Sequence, residues 1–225
     1  MRWRKQCGRR RRAMTPEVEA KFAATDSAPL EVLARTDRLG AATLEPPHAS
    51  DEVDRYLDTP AGALGAARWA CRLRSRRSRT TVSLKGPLDV ASEGWFHRRP
   101  ELEGPGENSD DPADWPASAA RDLVDRLRHG EPLAERFTLR QRRTERAVIV
   151  AGRRIGTLSL DVVRVERAGR EAGAFHVVEL ELAGGDDAPD ESLLAPLAAE
   201  LERIPGLSAE PASKLERALA LLDGP

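Results

Sequence analysis

Residues 16–22, Pro-Glu-Val-Glu-Ala-Lys-Phe, alternate strictly: Glu17, Glu19 and Lys21 fall on one face, Val18, Ala20 and Phe22 on the other. A period of two residues predicts a strand. The pattern changes over 27–40, where Ser27 can cap, Pro29 suits a first turn, Leu30, Val32 and Leu33 share a face and Gly40 can end the element. Those signals predict a helix. Strands are predicted next at 53–59, at 69–76 and 79–85 as a hairpin, and at 96–103. The Gly-, Pro- and Asp-rich stretch 104–116 reads as a loop, and a helix is predicted over 117–129. Strands return at 136–144, 146–151, 154–166 and 174–183, and helices at 190–203 and 213–222 close the chain. Short strands joined mostly by turns predict an α+β fold, antiparallel sheet with helices packed outside.

The polar faces of these strands are almost entirely charged. Glu17, Glu19 and Lys21 come first, then Arg72, Arg74 and Arg76, then Ser83 and Lys85, then Arg99, Glu101 and Glu103. Arg140 and Arg142 follow, then Ser159 and Asp161, and last Glu179 and Glu181 between Val178, Leu180 and Leu182. Charged faces usually meet water. Here, however, they are sorted by sign, with acids on the first and last strands and arginines in the middle. Only 4 of the 36 basic side chains are lysines, and three of those, Lys21, Lys85 and Lys214, lie in patterned segments. A compact ammonium is a point charge for phosphate, whereas guanidinium is a flat fork.

If the sheet closes with these faces inward, it encloses an ion-binding tunnel. Carboxylates there would repel one another by roughly several kcal/mol per close pair, even at an effective dielectric constant of about 20. Such a cluster tolerates burial only with cations present. Carboxylates without convergent His or Cys suit a hard divalent ion, Mg²⁺ or Mn²⁺. The Arg and Lys across the cavity call for a polyanion, and a metal-bridged chain of phosphates satisfies both halves.

At this point the residues resemble a known family, CYTH, the triphosphate tunnel metalloenzymes. Glu17-Val-Glu19-Ala-Lys21 is similar to its opening Glu-x-Glu-x-Lys strand, Tyr56-Leu-Asp58-Thr59 to its Tyr-x-Asp-Thr segment and Arg72-Leu-Arg74 to its Arg-x-Arg strand. Leu84-Lys85-Gly86, Arg99-Pro-Glu101-Leu-Glu103, Val178-Glu179-Leu-Glu181 and Ser213-Lys214 complete the series in order, from about 15 to 222. The resemblance implies an eight-stranded antiparallel tunnel over 15–225 and metal-dependent chemistry on a small-molecule triphosphate. It places Glu17, Glu19, Glu179 and Glu181 at the metals, with Asp161 as a further ligand. It assigns Lys21, Arg72, Arg74, Lys85, Arg99, Arg140 and Arg142 to the phosphates, with Lys85 also among the catalytic residues. The parity of 140–143 leaves Arg143 as the alternative to Arg142. Glu101 and Glu103 are tunnel acids. Ser213 and Glu216 form a capping box, which would set Lys214 in a first helical turn where it adds to the helix's positive end.

The helix at 117–129 followed by 136–143 resembles the subgroup that hydrolyses inorganic tripolyphosphate. The 225 residues leave no room for the helical CHAD domain that often accompanies it, so a stand-alone domain, monomer or homodimer, is expected. The competing readings are an adenylate cyclase on the same fold, for which no base pocket is evident, and a non-catalytic polyphosphate- or nucleotide-binding module. Other classes are excluded. No phosphate-binding or dinucleotide glycine loop is present, His48, His97, His129 and His176 lack zinc spacing, and Cys71, Thr59, Trp69 and Trp95 read as packing residues.

The net charge of −1 hides an asymmetry. The first 13 residues carry seven basic groups and no acid, so the remainder, with 29 basic and 37 acidic groups, has a net charge of −8. A globally basic nucleic-acid binder is therefore ruled out for the body. Residues 1–14 are expected to be a disordered basic arm, unless translation starts at Met14; only this arm could contact nucleic acid. Two cysteines, Cys7 and Cys71, make no disulfide framework, no apolar run spans a bilayer and no signal peptide precedes the domain. A cytoplasmic location without membrane contact is expected.

Overall fold

In the computed structural model, which describes residues 16–90, 94–184 and 190–224, the alternating segments pair into one continuous antiparallel sheet. The chain runs β1 (Pro16–Ala24), α1 (Ala28–Arg35), β2 (Arg38–Leu39), β3 (Ala42–Leu44), β4 (His48–Asp58), α2 (Ala63–Ala66), β5 (Ala70–Arg76) and β6 (Arg79–Lys85). It continues through β7 (Asp89–Val90), β8 (Phe96–Pro105), α3 (Ala119–Leu127), β9 (Ala134–Val150), β10 (Arg153–Arg167), β11 (Arg170–Leu182), α4 (Leu194–Glu202), β12 (Leu207–Ala209) and α5 (Lys214–Asp223). Strand order is β10-β11-β1-β8-β6-β5-β4-β9, and β9 pairs back onto β10. That last ladder closes an eight-stranded barrel; β2, β3, β7 and β12 extend it outside. The expected basic arm, Met14 and Cys7 lie outside the described residues.

Several boundaries differ from the sequence reading: β4 and β11 begin four or five residues earlier than expected and α4 four residues later, and two further differences have a clear physical reason. The first helix ends at Arg35 rather than 40, because Thr36 is already extended and residues 38–44 form the β2–β3 hairpin. Gly40, with φ of 54°, serves that hairpin turn. The strands expected at 136–144 and 146–151 are one, because Glu145 sits in both ladders, opposite His48 and Ser159.

The barrel is turned inside out relative to an ordinary sandwich. Val18, Ala20 and Phe22 of β1 point outward with Leu158, Leu160, Val178 and Leu180, and α1 and α4 cover them through Leu30, Leu33, Leu194 and Leu197. On another side Cys71, Leu73, Val82 and Leu84 lie beneath α2, α3 and Trp115. Each Val, Leu or Phe among them, fully buried, contributes about 1.5–3 kcal/mol. Hydrophobic burial outside the ring is what leaves its interior free for charge. One sector of the interior is apolar all the same: Phe137, Leu139, Val163, Val165 and Val177 meet Ala218 of α5, with Tyr56 stacked on Phe137 at 4.7 Å between centroids. Among the described residues no helix is long and apolar enough to cross a membrane.

Candidate active site

Period two along eight strands aims one residue in two at the bore. Glu17, Glu19 and Lys21 are 8%, 2% and 1% exposed, and the ion pairs that Glu17 and Lys21 make with Lys85, Arg99 and Glu179 of other strands show that β1 turns its charged face inward. Around the ring stand Glu52, Asp54, Arg72, Ser83, Arg143, Ser159, Asp161 and Glu179, all buried. Most acids are matched. Glu17 accepts from Lys85 and, at 2.5 Å, from Arg99. Burial alone would raise its pKa, but those two cations outweigh burial and hold the carboxyl well below the usual range. Asp54 takes both arms of the Arg74 guanidinium at 2.7 Å. Asp161 takes both arms of Arg143 at 2.8 and 2.7 Å and accepts Lys214 at 2.6 Å. Lys214 also reaches Glu179 at 2.7 Å, and Lys21 stands 3.4 Å from the other Glu179 oxygen. Asp54, Asp161 and Glu179 are likewise held low: burial opposes ionisation, but the neighbouring Arg and Lys charges prevail.

Two acids are different. Glu19 and Glu181 are directly opposed across the β1–β11 ladder, a placement that is destabilising for like charges. One Glu19 oxygen is buried with no hydrogen-bond partner among the described residues. Burial, with Glu179 and Glu17 nearby, pushes its pKa up to about 8 against the pull of Lys21 and Arg99. Glu181 lies at an open end of the bore, exposed yet hemmed in by protein. That crowding, with Glu17 added, pushes it up to about 7. Nδ1 of the buried His97 also lacks a partner and stands 3.8 Å from Glu19, while Nε2 is 2.7 Å from the Glu210 carbonyl. Burial and the Lys21 charge push His97 down to about 4, so the ring is neutral.

The orphaned Glu19 oxygen, with Glu181 opposite it, is the kind of donor that a hard cation would satisfy. Among the described residues, however, no three His, Cys, Asp or Glu side chains are gathered closely enough to hold a metal ion. Lysines and arginines stand between the carboxylates.

At the end of the barrel where α5 begins, a cavity of about 390 Å³ opens beside the helix. Lys21, Arg72, Lys85, Arg99 and Lys214 reach it, with Arg68 at the rim. The capping box is present as expected, with Ser213 Oγ accepting from the Glu216 backbone and the Glu216 carboxylate from the Ser213 backbone. It turns Lys214 inward, only 6% exposed.

Most residues picked out from the sequence converge on the bore: Glu17, Glu19, Lys21, Arg72, Arg74, Lys85, Arg99, Glu101, Asp161, Glu179, Glu181 and Lys214. Arg140 and Arg142 do not. Their side chains are 57% and 64% exposed on the barrel's outer wall, paired with Glu166 and Asp51. Arg143 occupies the inward position instead. Arg74 is in the bore but gives its guanidinium to Asp54 and Glu52 and does not line the cavity. Glu103 shares the register of buried Ser83 yet is exposed. Trp69, read as a packing residue, also lines the cavity. The sequence reading missed Glu52, Asp54 and Gln141. The signal was available in Glu52-x-Asp54-x-Tyr56, whose register sets it against Arg76, Arg74 and Arg72.

A family model for the CYTH domain matches residues 15–219. Among solved structures, the chain is similar to HpAC1 from Hippeastrum, described as an adenylyl cyclase with a dominant triphosphatase activity (20% identity, TM-score 0.63, 90% of this chain and 95% of that one). It is also similar to a Bacillus halodurans protein named for adenylate cyclase (17%, TM-score 0.54, 92% and 100%). The PH1819 protein of Pyrococcus horikoshii gives 21% and TM-score 0.53, over 90% and 98%. Among curated proteins none matches the chain. A closed barrel with an ionic interior, together with a family model spanning nearly the whole sequence, establishes that the chain belongs to the CYTH family.

Proposed function

We propose that the bore hydrolyses a triphosphate, releasing orthophosphate, with a divalent cation, Mg²⁺ or Mn²⁺, as cofactor. The observation that carries this reading is the division of charge. Five cations converge on one cavity, while Glu19 and Glu181 stand opposed with no cationic hydrogen-bond partner among the described residues. The triphosphatase described for HpAC1 is consistent with it. Inorganic tripolyphosphate is the simplest substrate that this arrangement would accept.

Lys21, Arg72, Lys85, Arg99 and Lys214 would bind the phosphate oxygens. Their carboxylate partners already hold them in place, so little side-chain freedom is lost on binding. Phosphoryl transfer asks for positioning and charge stabilisation more than covalent help. These cations would neutralise charge building on the leaving diphosphate in a site partly closed to water. Glu19 and Glu181 are the residues that would hold the cation; Glu17 and Glu179, which are paired with Lys and Arg side chains here, would join them only as those cations turn to the phosphates. When bound, the divalent cation would polarise phosphate oxygens and lower the pKa of water. No Ser or Cys nucleophile is required, and Cys71 points away from the bore with its thiol pushed up to about 12 by burial.

Phosphate release from tripolyphosphate is expected with Mg²⁺ or Mn²⁺ and to stop on chelation. Glu17→Gln and Glu179→Gln should each reduce it by about 100-fold or more while circular dichroism stays unchanged. Undiminished release from either folded variant would overturn the assignment. Pyrophosphate with a cyclic nucleotide, formed from ATP, would replace hydrolysis by cyclisation.

A further inference from the structure

His97 is a buried histidine whose two ring nitrogens are treated unequally. On β8 it stands directly opposite Glu19 of β1, and Glu19 in turn stands opposite Glu181 of β11. The three therefore form one row across adjacent strands. No spacing in the sequence links them; strand register does.

One nitrogen is fully accounted for. Nε2 lies 2.7 Å from the Glu210 carbonyl, an atom that can only accept, so Nε2 carries the proton. That carbonyl is itself held in place. The Glu210 N–H donates to the Lys21 carbonyl at 3.0 Å, and the Glu210 carboxylate accepts from the Ala212 backbone at 3.0 Å and from Arg217 at 2.7 Å. These bonds fix both the tautomer and the orientation of the imidazole.

The other nitrogen has no such use. In this tautomer Nδ1 is a bare lone pair, buried and without a hydrogen-bond partner among the described residues. The atom before it is Oε1 of Glu19, 3.8 Å away and orphaned in the same sense. Arg99 stands at 3.8 Å from that oxygen too, but its guanidinium donates to Glu17. Two buried acceptors thus face one gap with no donor supplied to either. Such an arrangement is costly unless something positive fills it. Around a small divalent ion, ligand atoms about 2.1 Å from the centre lie roughly 3–3.5 Å from one another. A small side-chain rotation brings Nδ1 and Oε1 to that separation.

We propose that Nδ1 of His97 is a nitrogen ligand of the divalent cation, bound beside Glu19. A ring whose remote N–H is held by a carbonyl while its other nitrogen meets the metal is the usual form of a metal-bound imidazole. The proposal rests on the cation reading above and deepens it. A cage of three side chains is absent among the described residues, and none is required. Ions of this class keep several waters and take oxygens from the substrate's phosphates. A nitrogen donor does change which ion is preferred. Magnesium selects oxygen ligands, whereas imidazole suits transition ions, so the bore should favour Mn²⁺ over Mg²⁺.

Pulsed EPR reads the ligand directly. The intact protein is kept in excess over Mn²⁺, with methylene-bridged tripolyphosphate present to complete the ion's shell. Spin-echo modulation from a directly bonded imidazole nitrogen is expected, and it should change to the ¹⁵N pattern in protein grown on ¹⁵N-histidine. His97→Gln retains an amide N–H for the Glu210 carbonyl but removes Nδ1. It should abolish the modulation and weaken Mn²⁺ binding by about tenfold or more, with Mg²⁺ binding little changed. If that variant does not fold, the labelled unaltered protein still decides. Mn²⁺ held without histidine modulation, or modulation that survives His97→Gln, would overturn the ligand and leave the Glu19 site standing. Absence of Mn²⁺ binding, or binding undiminished in Glu19→Gln, would remove the cation site and the His97 proposal together.

Discussion

Between Leu139 and Arg143 every second side chain meets a different solvent. Arg140 and Arg142 stand in water on the outer wall, whereas Gln141 and Arg143 are 3% and 8% exposed inside the bore. Arg143 joins Asp161, Glu179 and, at 3.9 Å, Glu52, so its removal would take from three buried carboxylates the one cation that reaches all of them, among the described residues. Arg143→Ala should therefore abolish phosphate release and lower the denaturation midpoint. Arg140→Ala and Arg142→Ala, which lose only exposed ion pairs, should keep kcat/KM within about twofold and stability within about 0.5 kcal/mol. Steady-state kinetics and urea titration of the three variants check this. The run Arg-Gln-Arg-Arg carries charge on both parities, so no rule of charged-face-inward could fix its phase from the sequence. What fixes it is Phe137 and Leu139, apolar residues that face the bore in the sector closed by α5.

At the scale of elements, α1 shows how a short helix is secured at the wall. Arg146 of β9 is 2% exposed and donates to the carbonyls of Leu33, Ala34 and Thr36 at the end of α1, and to those of Leu44 and Glu45. Its charge is met by five carbonyl dipoles, three of them at a helix C-terminus, where cations are favoured. Arg146→Ala should cost about 2–4 kcal/mol in urea denaturation, since it orphans buried acceptors as well as losing a charge-assisted network. Arg146→Lys should recover little, because one ammonium cannot span the same fork. Strands whose two faces differ in polarity, such as β1, β5 and β11, were legible because solvent-like and oil-like positions alternate without interruption. The end of α1 was not, because Gly40 signals a stop equally well for a helix and for a hairpin. The unbroken β9 was hidden too, since Glu145 resembles a turn residue until its two ladders are known.

For the molecule as a whole, the bore ties stability to pH in two directions. Glu17, Asp54, Asp161 and Glu179 have carboxyls held below their ordinary values of 4.5 for Glu and 3.8 for Asp, so the stability they supply is present above those values and lost as acid protonates them. Glu19 and Glu181 act oppositely. Raised to about 8 and about 7, they favour the fold fully below 4.5 and lose that contribution as pH climbs through those values. Metal-free protein should therefore be most stable near pH 4.5 and weaken from there to about pH 8. Glu19→Gln should flatten this decline and, at the alkaline end, exceed the unaltered protein by on the order of 2 kcal/mol, read from urea midpoints across that range. A Glu19→Gln protein that declines as steeply as its parent would show the carboxyl to be already ionised in neutral solution.

The barrel's seam has one more consequence. β1 lies between β8 and β11, with Glu19 facing His97 on one side and Glu181 on the other. It is made first, yet both of its neighbours are made later, the second only near the end of the chain. A growing polypeptide on the ribosome thus keeps one edge of β1, the strand of Glu17, Glu19 and Lys21, without its partner until β11 has emerged. The pairing that covers that edge is the same step that completes the ring. Assembly of the ionic interior is in this sense post-translational, and any chain interrupted before β11 keeps an open strand where the finished protein has none.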